Sequence, residues 1–505
     1  MGNIRIGWAE EIFQFNKPVA LMGQFAERIS EYQEKPLTVT AMAVASDTEQ
    51  MVLCSVDLVG VSCVLSDEVK NRLRDNGLGL DPEKIVISAI HTHTGPGYTG
   101  RTGNRINGGK PSGGFRGLLE RELPPNKKYV TSADIFNNND IENEDDLFEE
   151  IASKITKTVL DAWRNLAEGS YSNAFGRAAV GMCRRVSYSD GSAQMWGDTD
   201  RAVFTHLEGG NDSGIELLYV FDKNHKLTGV VANLACPAQC VQHRLFISPD
   251  FWGETKMLLR KHFGEDLFLL PLCSAAGDQC PVDLVRWVEP YTDVNDPNLK
   301  RSNPPKRKAD PSMFDLDGMR KAGKRIANEI IEVYNEGLDE AQSDVEFEHK
   351  VHIMKLPLRR ATLEQELLAK REIQKYLENK EGDVDFNDAA KLQIHLGILR
   401  RMELQDKMDV VDIEVHVMRL GTIAIATNPF ELFLDYGNQI KARSLAEQTF
   451  LIQLANGTEG YLPTEKAEKG GHYSAFISSG CIGHVGGEQL VRETLTSINK
   501  MFSEQ

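Results

Sequence analysis

Residues 85–100 read IVISAIHTHTGPGYTG, and this stretch places two histidines directly after an apolar run. The run is typical of a buried strand, and a strand that continues through His91 and His93 would direct both imidazoles to one face. The Gly-Pro-Gly that follows breaks the strand and lets the backbone approach a ligand closely. Two interpretations stand for the motif alone: a metal or acyl-transfer site, or a hydrogen-bonded pair of structural histidines.

Length and composition bound the class of protein. A chain of 505 residues is long enough for a large core, or for two or three ordinary domains. The apolar share of 41% and the charged share of 26% are those of a soluble globular protein. A net charge of −17 argues against nucleic acid and anionic membranes as the main partners.

The sequence also predicts a compartment. The start MGNIRIGWAEEIFQF has no basic segment followed by an apolar one, as a signal peptide would have. The sequence contains no run of about 18 apolar residues, so we expect no integral membrane contact. The eight cysteines lie scattered in apolar settings such as MVLCSV, which favours a reduced chain over a disulfide framework. We therefore expect a cytoplasmic protein.

Strand and helix patterns alternate along the chain. IRIGWAEE, LTVTAMAVASD and QMVLCSVDLV predict strands, SDEVKNRLRDN predicts a helix with a serine cap, and FWGETKMLLRKHFG predicts a helix that ends at glycine. The fold class is therefore mixed α/β. We expect one large catalytic domain over residues 1–505, with buried sheets flanked by helices.

Three segments depart from this alternation. Residues 101–147 are rich in Gly, Asn, Pro and charge, which predicts a loop insertion that acts as a lid or an interface arm. Residues 286–312 predict a further loop. Residues 361–408 contain two charged helical stretches, which predict a helical-hairpin insertion; a coiled-coil interface is the alternative, but the apolar positions are few.

Four polar segments follow buried strands, where loops build sites on an α/β scaffold. Their candidate residues are His91 and His93; Cys236, Cys240, His243 and Asp250; Asp278 and Cys280; and Glu431 and Tyr461, with Arg184 and Arg185 in MCRRVS as further candidates. Each has a structural alternative when it is taken singly. A cysteine is often a small buried hydrophobe, an aspartate after glycine often ends a turn, and a glutamate can favour a helix N-terminus.

Taken together, these segments resemble a known family. HTHTGPG, ISPDFWG, GDQCP, NPFE and GYLPT occur in the order seen in the catalytic domain of the neutral, non-lysosomal ceramidases, which are zinc-dependent amidohydrolases. The resemblance runs from residue 4 to about residue 497 and leaves out 104–147 and 361–408. We expect no counterpart of the family's C-terminal sandwich domain.

The resemblance implies roles for individual residues. His91, Glu431 and Tyr461 match zinc ligands, with one zinc ion per chain, and the metal's charge lowers the pKa of a phenol as it lowers that of water. His93 matches the histidine that contacts the substrate carbonyl or the oxyanion. Arg184 matches the arginine of the family's Asn-Arg motif, although Cys183 replaces the asparagine and Arg185 is a rival.

Two departures from the family pattern affect the site. Cys236, twelve residues before Ser248, stands where the family has its second zinc histidine. Either the Cys236 thiolate or His243 is the replacement ligand. Cys280 stands where the family's polar turn has serine, and it is expected to shape the pocket together with Asp278.

The resemblance implies hydrolysis of an amide bond by zinc-activated water, with His93 and Arg184 stabilising the oxyanion. The expected substrate is a small or amphiphilic amide or ester, either sphingolipid-like or an amino-sugar; the net charge argues against ceramide itself. Two alternatives remain. One is a thiol hydrolase that uses Cys280 as the nucleophile. The other is a non-catalytic binding or assembly protein that forms a homo-oligomer.

Overall fold

The computed structural model of the chain describes residues 2–26, 28–75, 77–98, 103, 105, 114–131, 140–285 and 314–503. The loop predicted at 286–312 lies outside these residues. The same holds for much of the insertion predicted at 101–147.

Two mixed β-sheets form the centre of the fold. The described strands are β1 Gly2–Asn3, β2 Arg5–Ile12, β3 Tyr32–Gln33, β4 Thr38–Ala45, β5 Gln50–Val56, β6 Ile85–Ala89, β7 Ala167–Arg177, β8 Met182–Cys183, β9 Arg185–Tyr188, β10 Ala193–Met195, β11 Phe204–Leu207, β12 Gly214–Asp222, β13 Leu227–Leu234, β14 Phe246–Ile247, β15 Phe268–Cys273, β16 Gln279–Cys280, β17 Asp344–Val345, β18 Phe347–Pro357, β19 Val410–Leu420, β20 Ile423–Thr427, β21 Glu431–Leu432, β22 Gln448–Ile452 and β23 Tyr461–Leu462. The larger sheet has the order β15-β13-β12-β7-β2-β4-β5-β6, and the smaller has the order β18-β19-β20-β22.

Helices cover the outer faces of both sheets. The described α-helices are α1 Cys63–Leu73, α2 Gly114–Glu122, α3 Glu144–Arg164, α4 Phe251–Phe263, α5 Asp315–Glu336, α6 Leu363–Asn379, α7 Phe386–Gln405, α8 Leu434–Arg443, α9 Glu465–Gly470 and α10 His484–Ser503. Helices α1, α3, α4 and α5 pack on the larger sheet, and α8 and α10 pack on the smaller one. The fold class is thus mixed α/β with buried sheets flanked by helices, as the sequence predicts, and the elements lie in four layers, helix-sheet-sheet-helix.

Burial on both faces explains the apolar strands. Every residue of β4, TVTAMAVA, is buried, because helix α3 covers one face of the sheet and the smaller sheet covers the other. Side chains of β4, β5, β19 and β20 meet in the layer between the sheets. Since both faces of such a strand are apolar, its sequence reads as a continuous hydrophobic run.

The predicted helical hairpin is confirmed as helices α6 and α7. Capping boxes at Thr362 and Asp385 start the two helices. Their apolar sides pack against each other and against Leu119 of α2. The hairpin therefore packs against helix α2 of the same chain.

Two local predictions are wrong. Helix α1 is capped by Ser62, whose side chain accepts a hydrogen bond from Leu65 N, rather than by Ser66. The apolar residues after Ser62 resemble a strand end, but they face the core from the first helical turn. In the 101–147 segment, the described part includes helix α2 and the first turn of α3, so it is not loop throughout. Over the described ranges, no helix is long and apolar enough to cross a membrane.

Candidate active site

A sharp turn, rather than strand alternation, brings the two histidines together. Strand β6 ends at Ala89, and His91 adopts a left-handed backbone conformation with φ of 64°. The predicted continuation of the strand through His91 and His93 is therefore wrong. The rings nevertheless meet, with their centroids 4.9 Å apart and their Nε2 atoms 3.3 Å apart. A left-handed non-glycine residue is strained, and such strain is frequent at functional sites.

One hydrogen bond fixes the role of Nδ1 in His91. This nitrogen lies 2.6 Å from the carbonyl oxygen of Val59, which can only accept, so Nδ1 donates. The other ring nitrogen, Nε2, lies 3.4 Å from Oε2 of Glu431. A histidine with one nitrogen donating to a carbonyl and the other directed to a carboxylate is arranged as metal-ligating histidines are.

Glu431 and Tyr461 are neighbours because two short strands pair. Strands β21 and β23 are parallel, with Glu431 opposite Tyr461. Burial raises the pKa of Glu431, but His91 and the Tyr461 hydroxyl lower it by more. The net shift is downward, so the carboxylate is ionised at neutral pH. Burial and the charge of Glu431 raise the pKa of Tyr461 well above its usual value. The Tyr461 hydroxyl also lies 2.6 Å from that of Tyr473.

Arg184 brings a buried positive charge to these groups. Its Nη2 donates to the Gly277 carbonyl at 3.1 Å and to the Tyr461 hydroxyl at 3.4 Å, while Nη1 donates to Gln239. Its Nε is buried and has no hydrogen-bond partner in the described part of the chain. Arg185, the rival, instead makes a two-point ion pair with Glu208. Arg184 is thus the arginine at the site, and its Nε is a nitrogen whose N–H is not used within the described residues.

The GDQC turn joins the segment of Arg184, between β8 and β9, to the segment of Glu431. The backbone N–H of Arg184 donates to the carbonyl of Asp278 at 2.9 Å. The Asp278 carboxylate accepts a hydrogen bond from Leu434 N at 2.9 Å, and Gly277 N donates to the Leu432 carbonyl. Burial raises the pKa of Asp278 to about 6. Asp278 therefore holds together the backbone segments that present Arg184 and Glu431.

Gln239 is a site residue that sequence reasoning missed. It is 1% exposed, and its side chain lies between Arg184 and His93. Its Oε1 accepts from Arg184 Nη1 at 3.2 Å, and its Nε2 lies 2.9 Å from His93 Nε2. It belongs to the polar segment 233–254, which the sequence predicts to contribute to the site. A glutamine between two cysteines matches no catalytic or metal-binding motif, so the sequence alone does not single it out.

The two candidates for the replacement zinc ligand lie against other groups than His91 and Glu431. The Cys236 thiol is fully buried and donates to the carbonyl of Pro237 at 3.5 Å, and burial raises its pKa well above the usual value. His243 stacks on Phe314 and lies 3.5 Å from the Asp315 carboxylate. Neither side chain has a contact with His91 or Glu431 among the interactions of the described residues.

Cys280 and Asp250 also have structural surroundings. The Cys280 thiol donates to the Val282 carbonyl at 3.3 Å, and burial raises its pKa to about 12. A thiol with that pKa is not ionised at neutral pH, so the geometry does not favour it as a nucleophile. Asp250 caps helix α4 through its hydrogen bond from Phe251 N. Cys240 is buried in the same apolar cluster as Cys236.

Three side chains at the site carry atoms of kinds that can bind a metal ion: an imidazole, a carboxylate and a phenol. His91 Nε2 and Glu431 Oε2 lie 3.4 Å apart, and the Tyr461 hydroxyl is near enough to the same carboxylate to lower its pKa. Three protein ligands are the number that catalytic zinc sites use. Across the described ranges, no three His, Cys, Asp or Glu side chains form a group that could hold a metal ion, so the third donor would have to be the tyrosine.

Solved structures share this fold. The neutral ceramidase from Pseudomonas aeruginosa matches with a TM-score of 0.65 and 14% sequence identity, over 99% of this chain and 75% of its own. A ceramidase complexed with C2 matches with a TM-score of 0.66 and 14% identity, over 99% and 76%. No family model and no curated protein sequence matches. The chain thus has a neutral-ceramidase-like fold.

Proposed function

We propose that this chain is a zinc-dependent hydrolase that cleaves the amide bond of an N-acyl substrate. The observation that carries the proposal is the meeting of His91, Glu431 and Tyr461 beside a buried arginine, within the fold that the ceramidases share. Amide hydrolysis needs an activated water and a group that stabilises the oxyanion. The donor set and Arg184 are chemically suited to these two tasks.

His91, Glu431 and Tyr461 are the residues that would hold one zinc ion. When bound, the metal supplies a Lewis acid and a water of lowered pKa. The Val59 carbonyl orients His91 for this role by accepting its Nδ1 proton. The lowered pKa of Glu431 keeps its carboxylate charged at neutral pH, as a ligand must be.

Arg184 is suited to bind the substrate's oxygen. Two of its nitrogens are held by Gly277, Tyr461 and Gln239, which fixes the guanidinium in place. The remaining Nε–H is a buried donor without a partner, and an unpaired buried donor is costly. A carbonyl oxygen that gains negative charge during attack would satisfy it, and one such donor contributes about 10²- to 10³-fold in rate.

The substrate class follows from the fold neighbours and from the surroundings of the site. Both neighbours are named ceramidases, which supports a lipid-like amide. Aromatic rings surround the polar groups: Trp196 lies over Arg184, and Phe25 packs edge-to-face on Tyr473. These rings suit the apolar part of an amphiphilic molecule. We propose an N-acylated amine of small or amphiphilic character, including sphingolipid-like and amino-sugar amides.

The test is hydrolysis of a panel of N-acyl amides by the full chain, with zinc, after chelation, and after zinc is restored. The panel spans N-acetyl amino sugars, short-chain ceramides and long-chain ceramides. The proposal predicts product release that chelation abolishes and zinc restores, and that iodoacetamide leaves unchanged. Activity that resists chelation but is lost on alkylation would establish the Cys280 thiol mechanism instead. A zinc-loaded chain that cleaves no member of the panel would overturn the proposal.

A further inference from the structure

Helix α7 of the helical hairpin carries a buried arginine that bonds only to backbone. Arg401 is 5% exposed, and it makes no ion pair with the described residues. Its Nη1 donates to the carbonyl of Arg359 at 2.7 Å, and its Nη2 donates to those of Ile477 and Gly480 at 3.2 and 2.8 Å. A buried charge without a counter-charge is costly and depends on such hydrogen bonds. Arg401 therefore ties α7 to two points of the loop 477–480.

The same face of α7 also packs directly against this loop. Gly397 lies four residues before Arg401, and residues at that spacing share one side of a helix. A methyl group added at Gly397 would lie 2.2 Å from the Cβ of Ser478, so the close approach requires glycine. A glycine and an arginine together thus fit one face of α7 to the loop 477–480.

The other side of the loop 477–480 lies against the backbone of Tyr461. Gly480 forms an antiparallel bridge with Gly460, the residue before the tyrosine. A methyl group added at Gly480 would lie 2.0 Å from the carbonyl oxygen of Tyr461. Tyr461 is in turn the partner of Glu431 across β23 and β21. The loop is therefore a layer between the hairpin and the strand that carries a residue of the site.

The hairpin has an apolar core of its own, formed with Leu119 of α2, and neither Gly397 nor Arg401 belongs to that core. We propose that the hairpin supports the active site, with Arg401 as a positioning residue that holds the loop 477–480 against Tyr461. The effect on zinc rests on the proposed function, because Tyr461 is a ligand only under that proposal. The packing of the loop on Tyr461 does not rest on it.

The variant that tests this is Arg401→Met, which keeps an unbranched side chain and removes every donor. In the full-length chain without added zinc, amide hydrogen exchange over residues 457–464 should become faster than in the wild type, because β23 loses its support. Zinc affinity, measured by isothermal titration, should weaken about 10-fold, as it does when groups that orient a ligand are lost. With an N-acyl amide, kcat should fall while KM changes little.

Arg419→Met is the matched control for loss of a buried arginine. Arg419 is 6% exposed and donates to the carbonyls of Gly421 and Met501, on β19 and away from the loop 477–480. Urea unfolding should show that this variant is also less stable than the wild type. Its exchange over residues 457–464 and its zinc affinity should nevertheless stay at the wild-type values.

A second variant, Gly397→Ala, tests the same contact if Arg401→Met does not fold. Alanine favours a helix more than glycine does, so α7 is kept while the methyl group displaces Ser478. Faster exchange over residues 457–464 is again the expected result, and unchanged exchange would overturn the inference. It would also fall if exchange in Arg401→Met were no faster than in Arg419→Met, or if Arg401→Met kept the affinity of a zinc-binding wild type. The expected exchange in a chain that binds no zinc and cleaves no amide would overturn the proposed function alone.

Discussion

The chain contains two buried clusters of the same composition, each with two histidines and one glutamate. The site cluster consists of His91, His93 and Glu431. The core cluster consists of His349, His416 and Glu414, which lie in the smaller sheet, on β18 and β19. All four histidines and Glu414 are less than 10% exposed to solvent.

The core cluster is satisfied by the protein itself. His349 donates to the Gln50 carbonyl and contacts His416, whose other ring nitrogen lies 3.0 Å from Glu414. Lys70, only 3% exposed, donates to the Glu414 carboxylate at 2.8 Å, and the Asn456 amide donates to the same oxygen. The cluster has its own cation.

In the site cluster, His91 Nε2 and Glu431 Oε2 lie 3.4 Å apart, and no lysine of the described residues contacts them. Over the described residues, the neighbouring cation, Arg184, makes its hydrogen bonds to Gly277, Gln239 and Tyr461 instead. The same residue types thus build a structural core in one place and an open donor set in the other. The difference is that a lysine neutralises the glutamate of the core cluster, and no lysine of the described residues does so in the site cluster.

The largest effect should come from the paired variants Glu431→Gln and Glu414→Gln. Removing the Glu431 charge should lower kcat/KM for an amide substrate roughly 10⁴-fold, or about 5 kcal/mol, because it removes a proposed zinc ligand. Glu414→Gln should leave the kcat/KM of the folded protein within about threefold. Steady-state kinetics on both variants checks this. Equal losses in the two would remove the distinction between the clusters.

Lys70→Met should destabilise the chain by about 3 kcal/mol or more, since it leaves the buried Glu414 carboxylate without its lysine. Arg105, 3.7 Å from the other carboxylate oxygen, limits the loss. Urea unfolding followed by circular dichroism measures the free energy. Lys375→Met, on the exposed side of α6, is the control and should change stability by less than about 0.5 kcal/mol. A Lys70 variant as stable as this control would show that the core cluster needs no cation.

Acid should destabilise the folded chain through its buried histidines. Burial lowers the pKa of His416, and burial together with His416 lowers the pKa of His349 well below its usual value. Below about pH 6.5 the unfolded state binds more protons than the folded state, so the free energy of unfolding falls as pH falls, by up to about 1.4 kcal/mol per pH unit for each such histidine. Urea titrations between pH 7.5 and 5 should show a shallower slope for His349→Gln than for the wild type. Identical slopes would contradict the buried, neutral state of His349.

The smallest effect should come from Cys236→Ala. Because the thiol bonds Pro237 and not the site cluster, zinc affinity should change by less than about threefold. Isothermal titration with zinc measures this, with His243→Ala as the companion variant. Loss of zinc binding in either variant would add that residue to the donor set.

The sequence predicts much of this architecture and the segments that form the site. Continuous apolar runs predict the buried strands, and capped, charged stretches predict the hairpin of α6 and α7, because these signals are local. Helix α1 shows the limit: Ser62 and Ser66 are equally good caps in sequence, and only packing of Leu65 in the core decides between them.

The details of the site depend on contacts between distant segments. The turn at His91 follows from its bond to Val59, 32 residues earlier, and Gln239 gains its role from Arg184, 55 residues earlier. Cys236 and His243 carry ligand chemistry in their sequence, but the loops around them direct both away from His91. Residue type alone therefore predicts candidate ligands, and the hydrogen bonds select among them.

The central claim is that the site cluster, and not the core cluster, is completed by a bound cation. The most direct test is the zinc content of the wild type, Glu431→Gln and Glu414→Gln, each dialysed against zinc and then against metal-free buffer. The account predicts about one zinc ion per chain in the wild type and in Glu414→Gln, and none in Glu431→Gln. A wild type without zinc, or a Glu431→Gln variant that retains it, would contradict the account.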